Sequence, residues 1–178
     1  MAIVATKKIS GYQRQCGRQN GGVSRVGIIE AADVENVTVT EGTVTEIKLK
    51  TGSSFKDYQS ELDQAEFTCN NGETNILVRL NRVGSVASEA VKSLEACAPC
   101  GLIALVQLNN GEIALVGYTE EFGSTRPITT VDSEFNSGKA LGDANYVDVT
   151  FKTSQVDPPL FLAASLKTNV DTLFTPAS

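Results

Sequence analysis

Two consecutive apolar segments, LIALVQL and EIALVGY, flank an Asn-Asn-Gly sequence and limit the folds open to this chain most strongly. Asn-Gly between apolar runs rich in Ile, Leu and Val predicts a β-hairpin. With Asn110-Gly111 as a two-residue turn, Leu105 is expected opposite Val116 and Ile103 opposite Tyr118. Both faces of the hairpin are then apolar. We therefore expect one face to meet the core, and the other to need a further layer or another subunit.

A Cys-Ala-Pro-Cys motif, Cys97 to Cys100, lies directly before this hairpin. Pro99 cannot continue a helix interior, so the motif is expected where the preceding helix ends, and there the helix dipole raises a thiol pKa. A redox role is therefore disfavoured. Zinc is disfavoured too, because the chain has no histidine and Cys16 and Cys69 lie in separate turns. We predict reduced thiols with no metal and no cofactor.

The residues before this motif predict the one clear helix of the chain, over about residues 85–96. Ser85 is expected to cap its N-terminus. Helical spacing places five apolar residues on one stripe, which must dock on a sheet. These residues are Val86, Ala87, Ala90, Val91 and Leu94.

The other segments alternate β-branched and polar residues around glycine turns, as β-hairpins do. Turns are expected at Glu41-Gly42, with a bulge nearby, and at Asn70-Asn71-Gly72. NYVDVTFK predicts a further strand, and LFLAASLK a last strand or a short helix. The predicted fold class is mainly β (α+β): an antiparallel β-barrel or sandwich of hairpins with one amphipathic helix.

A length of 178 residues is enough for one domain and short for two. Residues 23–160 are assigned to a single β-barrel or sandwich domain. Residues 1–22 are predicted to form a flexible N-terminal arm, and residues 161–178 a C-terminal extension. The arm is rich in glycine and polar residues, so it is either disordered or ordered only against a neighbouring subunit.

The charge and the absence of histidine exclude several classes of function. A formal net charge of −6 offers no basic surface for gripping a phosphate backbone, although it suits a protein past which nucleic acid slides. Without histidine there is no Ser-His or Cys-His activation. No spacing singles out a carboxylate pair. We therefore predict no catalytic residue and no enzymatic activity.

Two further segments resemble a phosphate-binding loop and a signal peptide, but each lacks features that such a motif requires. NSGKALGD lacks the earlier Gly and the following Ser or Thr of a phosphate-binding loop, because Ser133 and Ala140 occupy those positions. An apolar run of only four residues follows Met1 before the chain reaches Lys7 and Lys8, the wrong order and length for a signal peptide. No segment approaches the roughly 20 apolar residues of a membrane span. We expect a soluble protein made in the cytoplasm, with no membrane partner.

The order of these pieces resembles a family of small virion proteins from tailed bacteriophages of Bacteroides-type hosts, including the crAss-like group. The resemblance covers most of residues 15–160 and rests on GSSFKDY, NNGEIALVGY and SGKALGDANYVDVTF. Members of that family look like tail-tube or tail-ring subunits. The resemblance implies a tail-tube-like fold and a structural role in the virion, in the tail or the head-to-tail connector.

That role implies a homo-oligomeric ring of six or twelve copies beside neighbouring phage tail or connector proteins. DNA would pass through the lumen without specific binding. The protein would be synthesised in the host cytoplasm and located in the virion. The candidate subunit-interface residues are Tyr12, Arg14 and Arg18 in the arm and Ile103, Leu105, Val116 and Tyr118 on the hairpin.

Two alternative functions stay open at this level. One is a capsid decoration or fiber-anchoring protein. The other is a small β-type ligand-binding domain, for which clustered aromatic residues would be expected. The chain has no Trp, and its four Tyr are scattered.

Overall fold

The β-branched segments of the sequence form two β-sheets. A computed structural model of the chain describes residues 11–16, 20–60, 63–155 and 157–174. Within these ranges the strands and helices are, in chain order, β1 (Val23–Glu30), β2 (Val34–Thr40), β3 (Thr43–Leu49), β4 (Lys56–Tyr58), β5 (Glu66–Asn70), β6 (Glu73–Leu80), α1 (Ser85–Cys97), β7 (Leu102–Leu108), β8 (Ile113–Val116), β9 (Thr130–Asn136), β10 (Tyr146–Ser154), β11 (Leu160–Leu162), α2 (Ala164–Thr168) and α3 (Asp171–Phe174). The chain is mainly β, as the sequence predicts.

The larger sheet has seven strands in the order β2-β3-β11-β8-β7-β1-β4, and the smaller has four in the order β5-β6-β10-β9. Neighbouring strands are antiparallel, with one exception. β11 runs parallel to β3, with Phe161 opposite Thr43 and Leu162 opposite Val44. Every other pair in the described ranges is antiparallel, as predicted, and the pairs β2–β3, β5–β6, β7–β8 and β9–β10 join consecutive strands.

The predicted short turns are confirmed. Glu41 and Gly42 join β2 to β3, and Asn71 and Gly72 join β5 to β6, all four with positive φ as a type I′ turn requires. The β2–β3 register shifts between Thr38 and Val39, which is the bulge expected near the turn.

The β7–β8 hairpin also forms, but its strands pair in a register shifted by one residue from the predicted register. Leu105 lies opposite Leu115, and Ala104 lies opposite Val116. The predicted pairing of Leu105 with Val116 is therefore wrong, and Tyr118 lies beyond the end of β8. Because strand side chains alternate between faces, this slip moves Val116 to the face opposite Leu105.

The slip follows from the loop length. The amide of Leu108 donates to the carbonyl of Glu112 at 2.8 Å, so three residues rather than two connect the strands. Gly111, the last of them, has a φ of 91°. A three-residue loop with its final residue left-handed is a common alternative to the two-residue turn.

The central strands β1, β7 and β8 of the seven-stranded sheet are covered on both faces by other parts of the same chain. On one face β1, β7 and β8 pack against β6, β10 and the buried side of α1, a cluster called here the sandwich core. On the other face the same three strands pack against β2, β3 and the end of the chain, called here the C-terminal core. Its buried members are Ile29, Val37, Val44, Ile47, Phe55, Ile103, Leu105, Ile113, Leu115, Leu162, Val170 and Leu173.

The predicted boundary at residue 160 does not separate the last residues from the domain. β11 lies inside the seven-stranded sheet, between β3 and β8. The amide of Phe55 donates to the carbonyl of Leu173 at 2.9 Å, and the Phe55 and Phe174 rings are 6.0 Å apart. A Cβ on Gly27 would lie 2.4 Å from Cε1 of Phe174, so glycine at that position leaves room for this ring. Residues 160–174 are therefore part of the core, and residues 175–178 lie outside the described ranges.

Helix α1 is confirmed at Ser85–Cys97, with two corrections. Gly84, rather than Ser85, occupies the N-cap position, and no side chain caps this end. Ala87, Val91 and Leu94 are buried, but Val86 is 84% exposed. Val86 is one position out of phase with the buried residues, so the stripe that docks on the sheets is narrower than predicted.

Truncating the C-terminal segment tests whether it covers the core. We expect Leu173→Ala to lower the free energy of unfolding by roughly 2 to 5 kcal/mol, because Leu173 is buried and its removal leaves a cavity. The measurement is urea unfolding followed by circular dichroism. Leu141→Ala is the matched control, since Leu141 is fully exposed and its loss should change stability by less than about 0.5 kcal/mol. Equal effects of the two substitutions would contradict this packing.

Candidate assembly surfaces

Three of the predicted interface residues on the hairpin belong to the protein's own cores. Ile103, Leu105 and Val116 have relative exposures of 0%, 1% and 0%. Side chains enclosed in this way have no surface to offer another subunit, so the structure corrects their assignment. The second apolar face does have a further layer, which the same chain supplies. Tyr118 is half-buried, and its hydroxyl donates to the carbonyl of Val37 at 3.4 Å.

The N-terminal arm leaves the domain beside the β7–β8 loop. Asn109 donates from Nδ2 to the carbonyl of Gly21 at 2.8 Å, which holds the base of the arm. Residues 11–16 are exposed throughout, including Arg14, and Tyr12 is 83% exposed. Arg18 lies outside the described residues. The prediction that the arm contacts another subunit stays a prediction.

The four-stranded sheet presents a polar outer face. Side chains directly opposite each other on antiparallel strands share a face, so the registers of β5, β6, β10 and β9 define this surface. It carries five carboxylates and two cations, a net charge of −3. The carboxylates are Glu66, Glu73, Asp132, Glu134 and Asp148, and the cations are Arg79 and Lys152.

One ion pair fixes the middle of this outer face. Arg79 donates from Nε and Nη2 to the two carboxylate oxygens of Asp148, at 2.7 and 2.9 Å. The guanidinium also lies 3.8 Å from the centroid of the Tyr146 ring. Hydrogen bonding to Asp148 raises the pKa of Arg79 above its ordinary value. A two-pronged pair stacked on an aromatic ring holds its geometry better than a single contact between exposed charges.

A groove, called here the end groove, opens where the N-terminus of α1 meets the edge strand β4. It has a volume of about 590 Å³. Its apolar lining consists of Tyr58, Leu80, Val83, Val86, Ala87 and Ala90. Asp57 and Arg82 stand among its polar lining residues. The amide of Val83 donates to Oδ1 of Asn145 at 2.7 Å, which ties the β6–α1 connection to the β9–β10 loop.

Reasoning from the sequence did not identify this groove. The sequence predicts Val86 in the buried stripe, although its offset by one position from Ala87 indicates another face of the helix. The sequence around Leu80 and Val83 does not indicate a groove, because the groove forms only where β4 and α1 come together in the folded chain.

The Cys-Ala-Pro-Cys motif lies at a helix end, as predicted. Cys97 is the last residue of α1, Ala98–Cys100 form a 3-10 turn, and Gly101 leads into β7. Burial and the neighbouring Glu30 carboxylate, 3.5 Å from the sulfur, raise the pKa of Cys97 above its ordinary value. A reactive thiolate needs the opposite shift. Among the described residues, no group of three or more His, Cys, Asp or Glu is placed to hold a metal ion.

The NSGKALGD loop binds its own carboxylate. The amides of Lys139 and Ala140 donate to Oδ2 of Asp143 at 2.9 and 2.8 Å. These bonds lower the pKa of Asp143 below its ordinary value. The amides are therefore occupied by the chain itself, in keeping with an ordinary loop.

Comparison with protein-family models, with curated proteins and with solved structures finds no match to this chain. The described residues include no helix long and apolar enough to cross a membrane. The resemblance to phage tail proteins thus rests on the sequence pieces quoted above.

The thiol environments predict unequal alkylation. At pH 8 we expect iodoacetamide to modify exposed Cys100 faster than Cys97, because a raised pKa leaves less thiolate at Cys97. The rate at Cys97 should rise as the pH passes the ordinary thiol range. Peptide mass spectrometry of the folded chain measures both rates.

Glu30→Gln supplies the control for this experiment. Removing the carboxylate should lower the pKa of Cys97 and speed its alkylation, while Cys100 changes little. Faster modification of Cys97 than of Cys100 in the unaltered chain would contradict the assigned environment.

Proposed function

We propose that this protein is a structural subunit of a tailed-bacteriophage virion that assembles into a ring or tube in the tail or the head-to-tail connector. Six or twelve copies would surround a lumen through which DNA passes without specific binding. Neighbouring tail or connector proteins would contact the ring. The proposal assigns no catalytic residue and no cofactor.

The observation that carries the proposal is the form of the four-stranded sheet. In the described part of the chain its outer strands, β5 and β9, each pair on one side only. Strands of this kind present unpaired amides and carbonyls to any strand that approaches. Between them lies the outer face, with its excess of carboxylates.

The two edges of the four-stranded sheet are different strands, β5 and β9, which allows copies to pair edge to edge around a ring. If β5 of one copy lies beside β9 of the next, the contact is heterologous, and such contacts close into a ring when the rotation between copies allows it. The sheets would then form one continuous surface around the lumen. The sequence-level resemblance to tail-tube and tail-ring proteins supports the same arrangement.

The charge of the outer face fits a lumen that DNA must traverse. Each copy would add a net charge of −3 from the seven charged side chains of this face. Repetition around a ring multiplies the charge, and like charge repels a phosphate backbone. DNA could then move through the lumen without adhering to it.

Imaging and mass measurement test the assembly. We expect purified protein, concentrated stepwise, to form closed rings or tubes in negative-stain electron microscopy. Native mass spectrometry should give six or twelve copies of the 18.9 kDa chain. A chain that stays monomeric or trimeric at every concentration would overturn the proposal, and trimers would favour the capsid-decoration alternative.

A pair of charge-reversal variants tests which face lines the lumen. Asp132→Lys with Glu134→Lys should make assembled rings retain double-stranded DNA at low salt, because both residues lie on the outer face. Glu41→Lys with Glu46→Lys makes the same charge change on the β2–β3 hairpin and should leave the rings unable to retain DNA. Equal DNA retention by the two variants would place the lumen elsewhere.

A further inference from the structure

We propose that the end groove binds the N-terminal segment, residues 1–10, of a second copy of this chain. The inference rests on the proposed function only in supposing that copies meet in an assembly. It names a contact between copies that is separate from the sheet edges.

The end groove exposes apolar side chains to solvent, whereas a folded chain ordinarily buries such side chains. Val86 lines it and is 84% exposed, although it adjoins buried Ala87. Tyr58, Leu80 and Val83 continue the apolar lining. An apolar depression of about 590 Å³ has room for several aliphatic side chains of an extended peptide. An exposed apolar site with a polar rim is typical of a binding surface.

The arm supplies a matching peptide. Residues 1–4, Met-Ala-Ile-Val, are apolar, and Lys7 and Lys8 follow. One residue of each charge lines the groove, Asp57 on β4 and Arg82 after β6, so the lining has no net charge. The groove itself therefore suits the apolar residues, and the lysines would lie outside it.

The charges of arm and domain are complementary. Residues 1–22 contain four Lys or Arg and no Asp or Glu, a charge of +4. The remaining residues carry eleven Lys or Arg against twenty-one Asp or Glu, a charge of −10. Opposite net charges favour the encounter between the arm of one copy and the domain of another.

The path of the arm favours a second copy as its destination. Every residue from 11 to 16 is exposed, so this part of the arm does not lie on its own domain. Val4 and Asn20 are sixteen residues apart. Such a segment can span roughly 55 Å when extended, more than three times the radius of gyration of roughly 16 Å expected for a domain of this length.

Complementary variants test the contact between copies. One variant lacks residues 2–10 and keeps the groove; the other carries Val86→Glu and keeps the arm. An affinity-tagged copy of the first should retain the second about tenfold more than it retains another copy of itself. The charge at an exposed position near a helix N-terminus leaves folding intact, which circular dichroism verifies. Equal retention in all pairings would overturn the inference.

A peptide titration tests the site directly. A labelled peptide, MAIVATKKIS, is titrated into the chain that lacks residues 2–10, followed by fluorescence anisotropy. We expect saturable binding that Val86→Glu weakens by about tenfold or more. Leu141→Glu, the same kind of change at a fully exposed position of the β9–β10 loop, should leave binding unchanged. Absent binding, or equal binding by both variants, would overturn the inference.

These outcomes are separable from those of the proposed function. Rings that form unchanged without residues 2–10, together with no peptide binding, would remove the inference and leave the function standing. Peptide binding by a chain that never forms rings would support the arm contact and remove the ring.

Discussion

The structure depends on one constraint: the β7–β8 hairpin is apolar on both faces, and each face must be covered. The four-stranded sheet and α1 cover one face, forming the sandwich core. The β2–β3 hairpin and residues 160–174 cover the other, forming the C-terminal core. Burying one large aliphatic side chain contributes roughly 1.5 to 3 kcal/mol, so neither face could be left to solvent without a large loss of stability. The seven-stranded sheet therefore curls over its own central strands, and the end of the chain completes the cover on that face.

The hairpins, the helix and the fold class follow from local sequence, because turn residues and apolar periodicity act over a few residues. The β7–β8 register does not, since Asn-Asn-Gly fits a two-residue turn or a three-residue loop, and the two differ by one residue in pairing. The predicted strand in LFLAASLK forms as β11, but its pairing could not be predicted from local sequence. Its three residues pair with β3 in parallel, and only the long-range assembly of the C-terminal core selects that position. The position of Val86 in the helical repeat indicates that its side chain is exposed. The groove around it arises from tertiary packing, which the local sequence does not determine.

Covering both faces within one chain changes where assembly contacts are to be sought. Ile103, Leu105 and Val116 are buried in the domain's own cores, so the proposed contacts between copies are assigned instead to the sheet edges, the end groove and the arm. The division of charge between a basic arm and an acidic domain is consistent with this arrangement.

Native-state hydrogen exchange measures whether the β7–β8 hairpin is the interior of the single chain. The measurement is made by NMR on the chain at a dilution where it is monomeric. The amides of β7 and β8 should exchange more slowly than those of any other strand, and their opening free energy should equal that of global unfolding measured with denaturant. Fast exchange of these amides in the monomer, with protection appearing only on assembly, would contradict the packing described here. It would indicate that the hairpin lies in a subunit interface.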